Sequence, residues 1–186
     1  MRSSSWAPAS AVVAKTATDS SSNTASALIV HSVAEYVVRR HHVIPIVWDD
    51  MLRQMTTDVV RESGLPALGV ELMVWSYVKD IYRFVPYSQW TQFAALFPRV
   101  WIASAFKGAF GETLTVPNAR WHLENNMAWL SVAREQRPHF AEVRGLVLTG
   151  WQRYDHLAAL CELLPAAIPS LALSLISVTF GAFDSK

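Results

Sequence analysis

Four stretches of the chain share one arrangement of hydrophobic and polar positions. Val43–Asp50, Val70–Tyr77, Val100–Lys107 and Gly145–His156 each hold a short apolar run that ends in aromatic or charged side chains. The runs lack polar–apolar alternation, as expected for strands buried on both faces of a parallel sheet. The strand cores fall at Val43–Val47, Val70–Trp75, Val100–Ser104 and Leu146–Leu148. Their starts lie roughly 27, 30 and 45 residues apart, and each gap holds one helical pattern. A serial strand–helix array with right-handed crossovers gives a parallel sheet.

Strand, polar tip and helix make up the repeating unit of a (β/α)8 barrel, whose active-site groups sit at the C-terminal ends of the strands. A chain of 186 residues is too short for the usual barrel of about 250. The expected fold is therefore α/β, a partial TIM (β/α)8 barrel of about four units. Residues 1–25, rich in Ser, Thr and Ala, bury too little apolar surface to offset their ordering entropy and are expected to be disordered. Residues 26–186 would form the partial barrel. A first helix is expected from Thr24 or Ser26, one of them as N-cap, to Arg40, with an apolar stripe through Leu28, Val30, Val33, Ala34, Val37 and Val38. Thr56–Ser63 reads as a polar turn region, Tyr87–Phe97 and Val116–Arg134 as helices, and Leu157–Leu164 as a further helical pattern. Trp121, Met127 and Trp129 are expected to pack against the sheet.

Leu163–Phe183 carries no charge over 21 residues, formally enough to cross a bilayer. Pro165, Pro169, Gly181 and several hydroxyl side chains favour a turn at 165–169 followed by a buried helix, so no membrane partner is expected. The net charge of +1 does not favour nucleic acid as a partner. The single cysteine, Cys161, excludes an intrachain disulfide framework and fits a reducing, cytoplasmic or nuclear, location. Adjacent His41 and His42 have the geometry of a solvated helix end rather than of a chelate, and no metal site or cofactor is expected.

Composition changes the picture in one respect. Of eight tryptophans, Trp48, Trp75 and Trp151 recur at strand tips. Beside them stand Asp49, Asp50, Tyr77, Lys107, Arg153, Tyr154 and Asp155. Flat aromatic faces beside carboxylates and long donors suit a sugar, whose C–H faces pack on indole while its hydroxyls are matched by hydrogen bonds. The competing reading makes the tryptophans core fillers and the charges helix caps. No G-x-S-x-G elbow and no Cys–His pairing is present, and Phe106–Gly111 lacks the spacing of a phosphate-binding loop.

Val47–Met51, Ala103–Ala109, Leu148–His156, Leu160–Ala166 and Pro169–Leu171 together resemble the β-N-acetylhexosaminidases of the glycoside hydrolase family 20 type. The resemblance runs from about residue 26 or 43 to 180 and is to the second half of the barrel, strands five to eight. It implies removal of terminal β-linked N-acetylglucosamine or N-acetylgalactosamine with retention, the substrate's own acetamido oxygen acting as nucleophile. It also implies that glycans ending in these sugars are the partners. In that family an Asp-Glu pair at strand four orients the acetamido group and protonates the leaving oxygen. This chain contains no Asp-Glu dipeptide, so no catalytic residue is assigned, and the chain alone is expected to be inert.

What the resemblance carries over is the pocket. Trp48 and Trp75 correspond to its walls at strands five and six, and Trp151 to the wall at strand eight that closes on the acetamido methyl. Where the family has Tyr-x-Asp and Trp-x-Glu, this chain has Phe106-Lys107 and Trp151-Gln-Arg153. Tyr154, Asp155 and Asp50 stand as candidates for the polar contacts, with Asp49, Lys107 and Arg153 completing the substrate-binding set. An open half-barrel has two unpaired sheet edges, so self-association is expected. A non-catalytic carbohydrate-binding or interaction module is the alternative.

Overall fold

A computed structural model describes residues 20–111, 114–151 and 163–181. It is an α/β fold built on a four-stranded parallel sheet, with helices between successive strands. The strands are β1 (Ile46–Trp48), β2 (Glu71–Trp75), β3 (Arg99–Lys107) and β4 (Glu142–Gly150), in spatial order β1-β2-β3-β4. The helices are α1 (Ser20–His41), α2 (Thr57–Glu62), α3 (Tyr87–Leu96), α4 (Ala119–Gln136) and α5 (Leu164–Phe180). Sequential order and parallel pairing are those of a partial TIM barrel. The chain divides into two compact units, Met1–Met73 and Val74–Lys186.

In the first unit β1 pairs with the start of β2, Ile46 opposite Glu71 and Trp48 opposite Met73. Val30, Ala34 and Val37 supply the buried stripe of α1, and Leu52, Val60, Leu65, Val70 and Leu72 are buried in the same unit. The helix α1 begins at Ser20, earlier than expected, so Thr24 and Ser26 lie inside it rather than capping it. Residues 1–19 of the segment expected to be disordered lie outside the described residues. Pro45 falls just before β1, where its missing N–H costs no ladder bond, and its carbonyl accepts from Glu71 N at 3.0 Å. Thr56–Ser63 is more ordered than a turn region, because the Thr56 hydroxyl accepts from Val59 N and caps α2. His41 and His42 are both exposed at the end of α1.

In the second unit β3 and β4 pair along their whole length, Val100 opposite Val143 and Ser104 opposite Leu148. The strand β4 starts at Glu142, before its apolar run. Leu146, Val147 and Leu148 are only half-buried, as befits the last strand in the order. The core is aromatic. Trp90 of α3 meets Trp129 of α4 edge-on at 6.3 Å and Phe140 at 6.1 Å, with Phe93, Phe97, Val100 and Ile102 fully buried around them.

The last helix differs from expectation. Residues 164–180 form one helix with no turn at 165–169. Pro165 stands in its first turn, where its N–H would have no partner anyway, and Pro169 is accommodated one turn later. The buried face of α5 is small and polar: Ala167, Ser170, Ser174 and Ser177. Ser170 donates to the Phe106 carbonyl at 2.7 Å, Asn126 donates to Ser174 Oγ at 3.0 Å, and Ser104 donates to Asn126 Oδ1. These bonds let α5 lie close to β3 and α4, while Leu164, Ile168, Leu175, Ile176 and Phe180 face outward. Among the described residues no helix is long and apolar enough to cross a membrane.

Candidate functional site

The tips of β2, β3 and β4 in the second unit build one aromatic cluster. Trp75 ends β2, and Tyr77 follows two residues on. Their rings lie 5.0 Å apart and inclined at 36°. Tyr77 meets Trp151 edge-on at 6.5 Å, and the Trp151 indole N–H donates to the Tyr77 hydroxyl at 3.1 Å. Ala105 and Ala109 floor the cluster, and Trp75 and Trp151 pack on it while staying partly exposed. A half-exposed indole beside a buried phenol presents an apolar wall with a fixed polar edge.

The β3 and β4 tips are locked together. Trp151 N donates to the Lys107 carbonyl at 3.3 Å, and the Lys107 ammonium donates to the Trp151 carbonyl. Lys107 is buried, only 2% exposed. Expected as a rim donor, it is placed inside the strand tips, with its ammonium on the main chain of Trp151. Two glycines permit this approach. Gly108 has φ +71°, and a Cβ there would stand 2.1 Å from the Trp151 carbonyl oxygen. A Cβ on Gly150 would stand 2.5 Å from the Phe106 ring. The glycine-bearing loop after β3 thus answers to close packing at the strand tips.

The first unit holds Trp48, Asp49 and Asp50. Trp48 and Asp50 line a small hollow with Val30, Val47, Met51, Leu52 and Leu65. Its volume is about 10 Å³, room for one water and not for a sugar ring. Asp49 is fully buried. Both its carboxylate oxygens accept from Arg53, Nη2 to Oδ1 at 3.0 Å and Nε to Oδ2. Four residues of helical turn separate the pair, so the bidentate contact anchors the turn after β1. Asp50 stays half-exposed. Arg153, Tyr154 and Asp155 lie outside the described residues, as do Cys161 and most of the helical pattern at 157–164.

Sequence reasoning missed a set of residues on α4. Asn125 Nδ2 donates to the Ser76 carbonyl at 3.1 Å and to the Val78 carbonyl at 2.6 Å. Trp129 Nε1 donates to the Ser76 carbonyl at 2.8 Å, and Trp121 Nε1 to the Tyr77 carbonyl at 3.1 Å. Trp121, expected against the sheet, instead stacks on Phe110 at 4.3 Å and 10°. The adjacent Asn125-Asn126, an unusual pair for a helix interior, is the one signal that marked this face.

His122, on the same helix, is 1% exposed, and neither ring nitrogen has a hydrogen-bond partner among the described residues. Burial lowers its pKa from 6.5 to about 4, opposed in part by the backbone of Ala105. It is neutral at pH 7. Farther along, Tyr82 and Tyr87 stack at 4.1 Å and both donate to Glu135 at 2.6 Å. Burial, then the Glu135 bond, holds the Tyr82 phenol well above its ordinary value. The two phenols hold the Glu135 carboxyl below its own. Among the described residues no three His, Cys, Asp or Glu side chains converge as a metal site.

No family model matches the chain. It is 45% identical over 147 residues to Hexosaminidase D of Homo sapiens, covering 78% of this chain and 30% of that protein. It is 41% identical over 150 residues to Hexosaminidase D of Bos taurus, covering 75% of this chain and 40% of that protein. The chain thus spans between about a third and two fifths of the curated relatives it matches.

Proposed function

We propose that this chain, like part of the Hexosaminidase D proteins it is similar to, carries the sugar-binding side of a glycosidase pocket. The sugar is a terminal β-linked N-acetylhexosamine, N-acetylglucosamine or N-acetylgalactosamine. The observation that carries the reading is the interlocked trio Trp75, Tyr77 and Trp151 at the C-terminal ends of parallel strands, where barrel enzymes bind substrate. In this reading Trp151 and Trp75 present apolar faces to the pyranose ring and its acetamido methyl. Asp50, Arg153, Tyr154 and Asp155 are the candidate partners for hydroxyls. Asp49 and Lys107 act indirectly, by holding the tips.

Hydrolysis in the substrate-assisted scheme needs an acid to protonate the leaving oxygen, a contribution of about 10²–10⁴-fold. With no Asp-Glu dipeptide in the sequence, the chain on its own binds and does not cleave, which favours a carbohydrate-binding module as the second reading. Both make the same first demand. Titration with N-acetylglucosamine changes tryptophan fluorescence saturably, and Trp151→Ala abolishes the change; no saturable change in the unaltered chain would sink the proposal. Release of nitrophenol from an aryl N-acetyl-β-glucosaminide then separates the two readings.

A further inference from the structure

Residues 76–78 leave the β2 ladder without forming a helix, yet they must carry Tyr77 to its place between Trp75 and Trp151. On the strand side Ser76 N donates to the Ala103 carbonyl at 3.4 Å, which leaves the carbonyls of the segment to be met from elsewhere. Each of its three carbonyls is taken by a side chain of α4, through Trp121, Asn125 and Trp129. These residues stand four apart, on successive turns of one helix face. The Asn125 amide does the most, because it joins the carbonyls on either side of Tyr77.

We propose that this face of α4 is a clamp that sets the position of Tyr77, with Asn125 as a positioning residue for the aromatic pocket. The neighbouring Asn126 shows what a merely structural asparagine does on the same helix. It is equally buried, 0% exposed like Asn125, but bonds Ser104 and Ser174, away from the tips. Through Asn125 the hydrogen-bond chain runs from α4 to the Tyr77 main chain, and from the Tyr77 hydroxyl to the Trp151 indole. Only the effect on sugar affinity rests on the function proposed above; the clamp itself does not.

The test compares Asn125→Ala, Trp121→Phe and Asn126→Ala in the whole chain. Without ligand, the Trp151 indole N–H resonance, assigned with Trp151→Phe, moves in Asn125→Ala and Trp121→Phe, neither of whose altered side chains bonds Trp151. It stays in place in Asn126→Ala, which lowers only the urea midpoint. With N-acetylglucosamine as the probe, Asn125→Ala raises the dissociation constant about tenfold, since small misplacements at a site are costly. Should Asn125→Ala fail to fold, Trp121→Phe carries the same comparison, because it removes one donor at a half-buried position and keeps the ring. A Trp151 resonance that moves no more in these variants than in Asn126→Ala overturns the clamp. An unaltered chain that ignores the sugar while the resonance moves overturns the functional reading and supports the clamp.

Discussion

Acidification should weaken this protein through His122, and the size of the effect follows from its surroundings. The imidazole is sealed between α4 and the sheet, with no partner for either nitrogen among the described residues. Its pKa falls from 6.5 to about 4. Above pH 6.5 the folded and unfolded chains are both neutral at this position, and it contributes no pH dependence. Between 6.5 and 4 the unfolded chain takes up a proton that the folded chain refuses. Stability then drops by about 1.4 kcal/mol per pH unit, for a total of about 3 kcal/mol, and the loss is constant below pH 4. His122→Leu removes the titrating group and leaves an apolar side chain of similar reach in its place, so the pH dependence that it loses is that of His122. Urea unfolding of both chains from pH 7 to pH 4 isolates the effect. Carboxylates such as Glu135 titrate in both and cancel in the difference. Parallel stability curves for the two chains across that range would refute the reasoning.

Two further substitutions probe the strand tips. Gly108→Ala combines a left-handed backbone with a Cβ 2.1 Å from the Trp151 carbonyl oxygen. It should cost at least about 1–3 kcal/mol and shift the Trp151 indole resonance; a urea midpoint within error of the parent would contradict the close approach. Arg53→Met leaves the Asp49 carboxylate buried without its bidentate partner and should cost about 3–5 kcal/mol at pH 7. Adding Asp49→Asn should recover much of that loss, and a double variant no better than the single one would deny that the charge is the cause.

The strands were legible because parallel strands buried on both faces read as uninterrupted apolar runs, and the tips because indoles and charges ended each run. The edges of elements were less so. Glu142 and Arg144 open β4 although they are polar, since an edge strand of an open sheet can point them at water. The pair also bond each other at 3.1 Å. The prolines misled at α5: Pro165 stands in the first turn, where no N–H is needed, and Pro169 is carried inside a helix that continues past it. The burial of Asp49 and Lys107 was not legible, because burial is invisible in a one-dimensional pattern. Asp49 pairs with Arg53 four residues on, and Lys107 donates to the carbonyl of Trp151.

What the tips present is therefore decided one layer behind them. A lysine at the end of β3 spends its ammonium on a main-chain carbonyl, which fixes Trp151 from the strand side. Asn125 and Trp121 spend their donors on carbonyls of the β2 exit, which fixes Tyr77 from the helix side. The Trp151–Tyr77 bond closes the gap between the two supports. The wall of Trp75, Tyr77 and Trp151 is thus braced from both sides, and a braced apolar wall selects by shape, favouring a ring with a flat face and a small apolar substituent. In the function proposed above, an N-acetyl group on a pyranose meets both conditions, its methyl lying against the indole face. For the sugar proposed above, the arrangement predicts tighter binding of N-acetylglucosamine than of glucose, and equal dissociation constants for the two would contradict it.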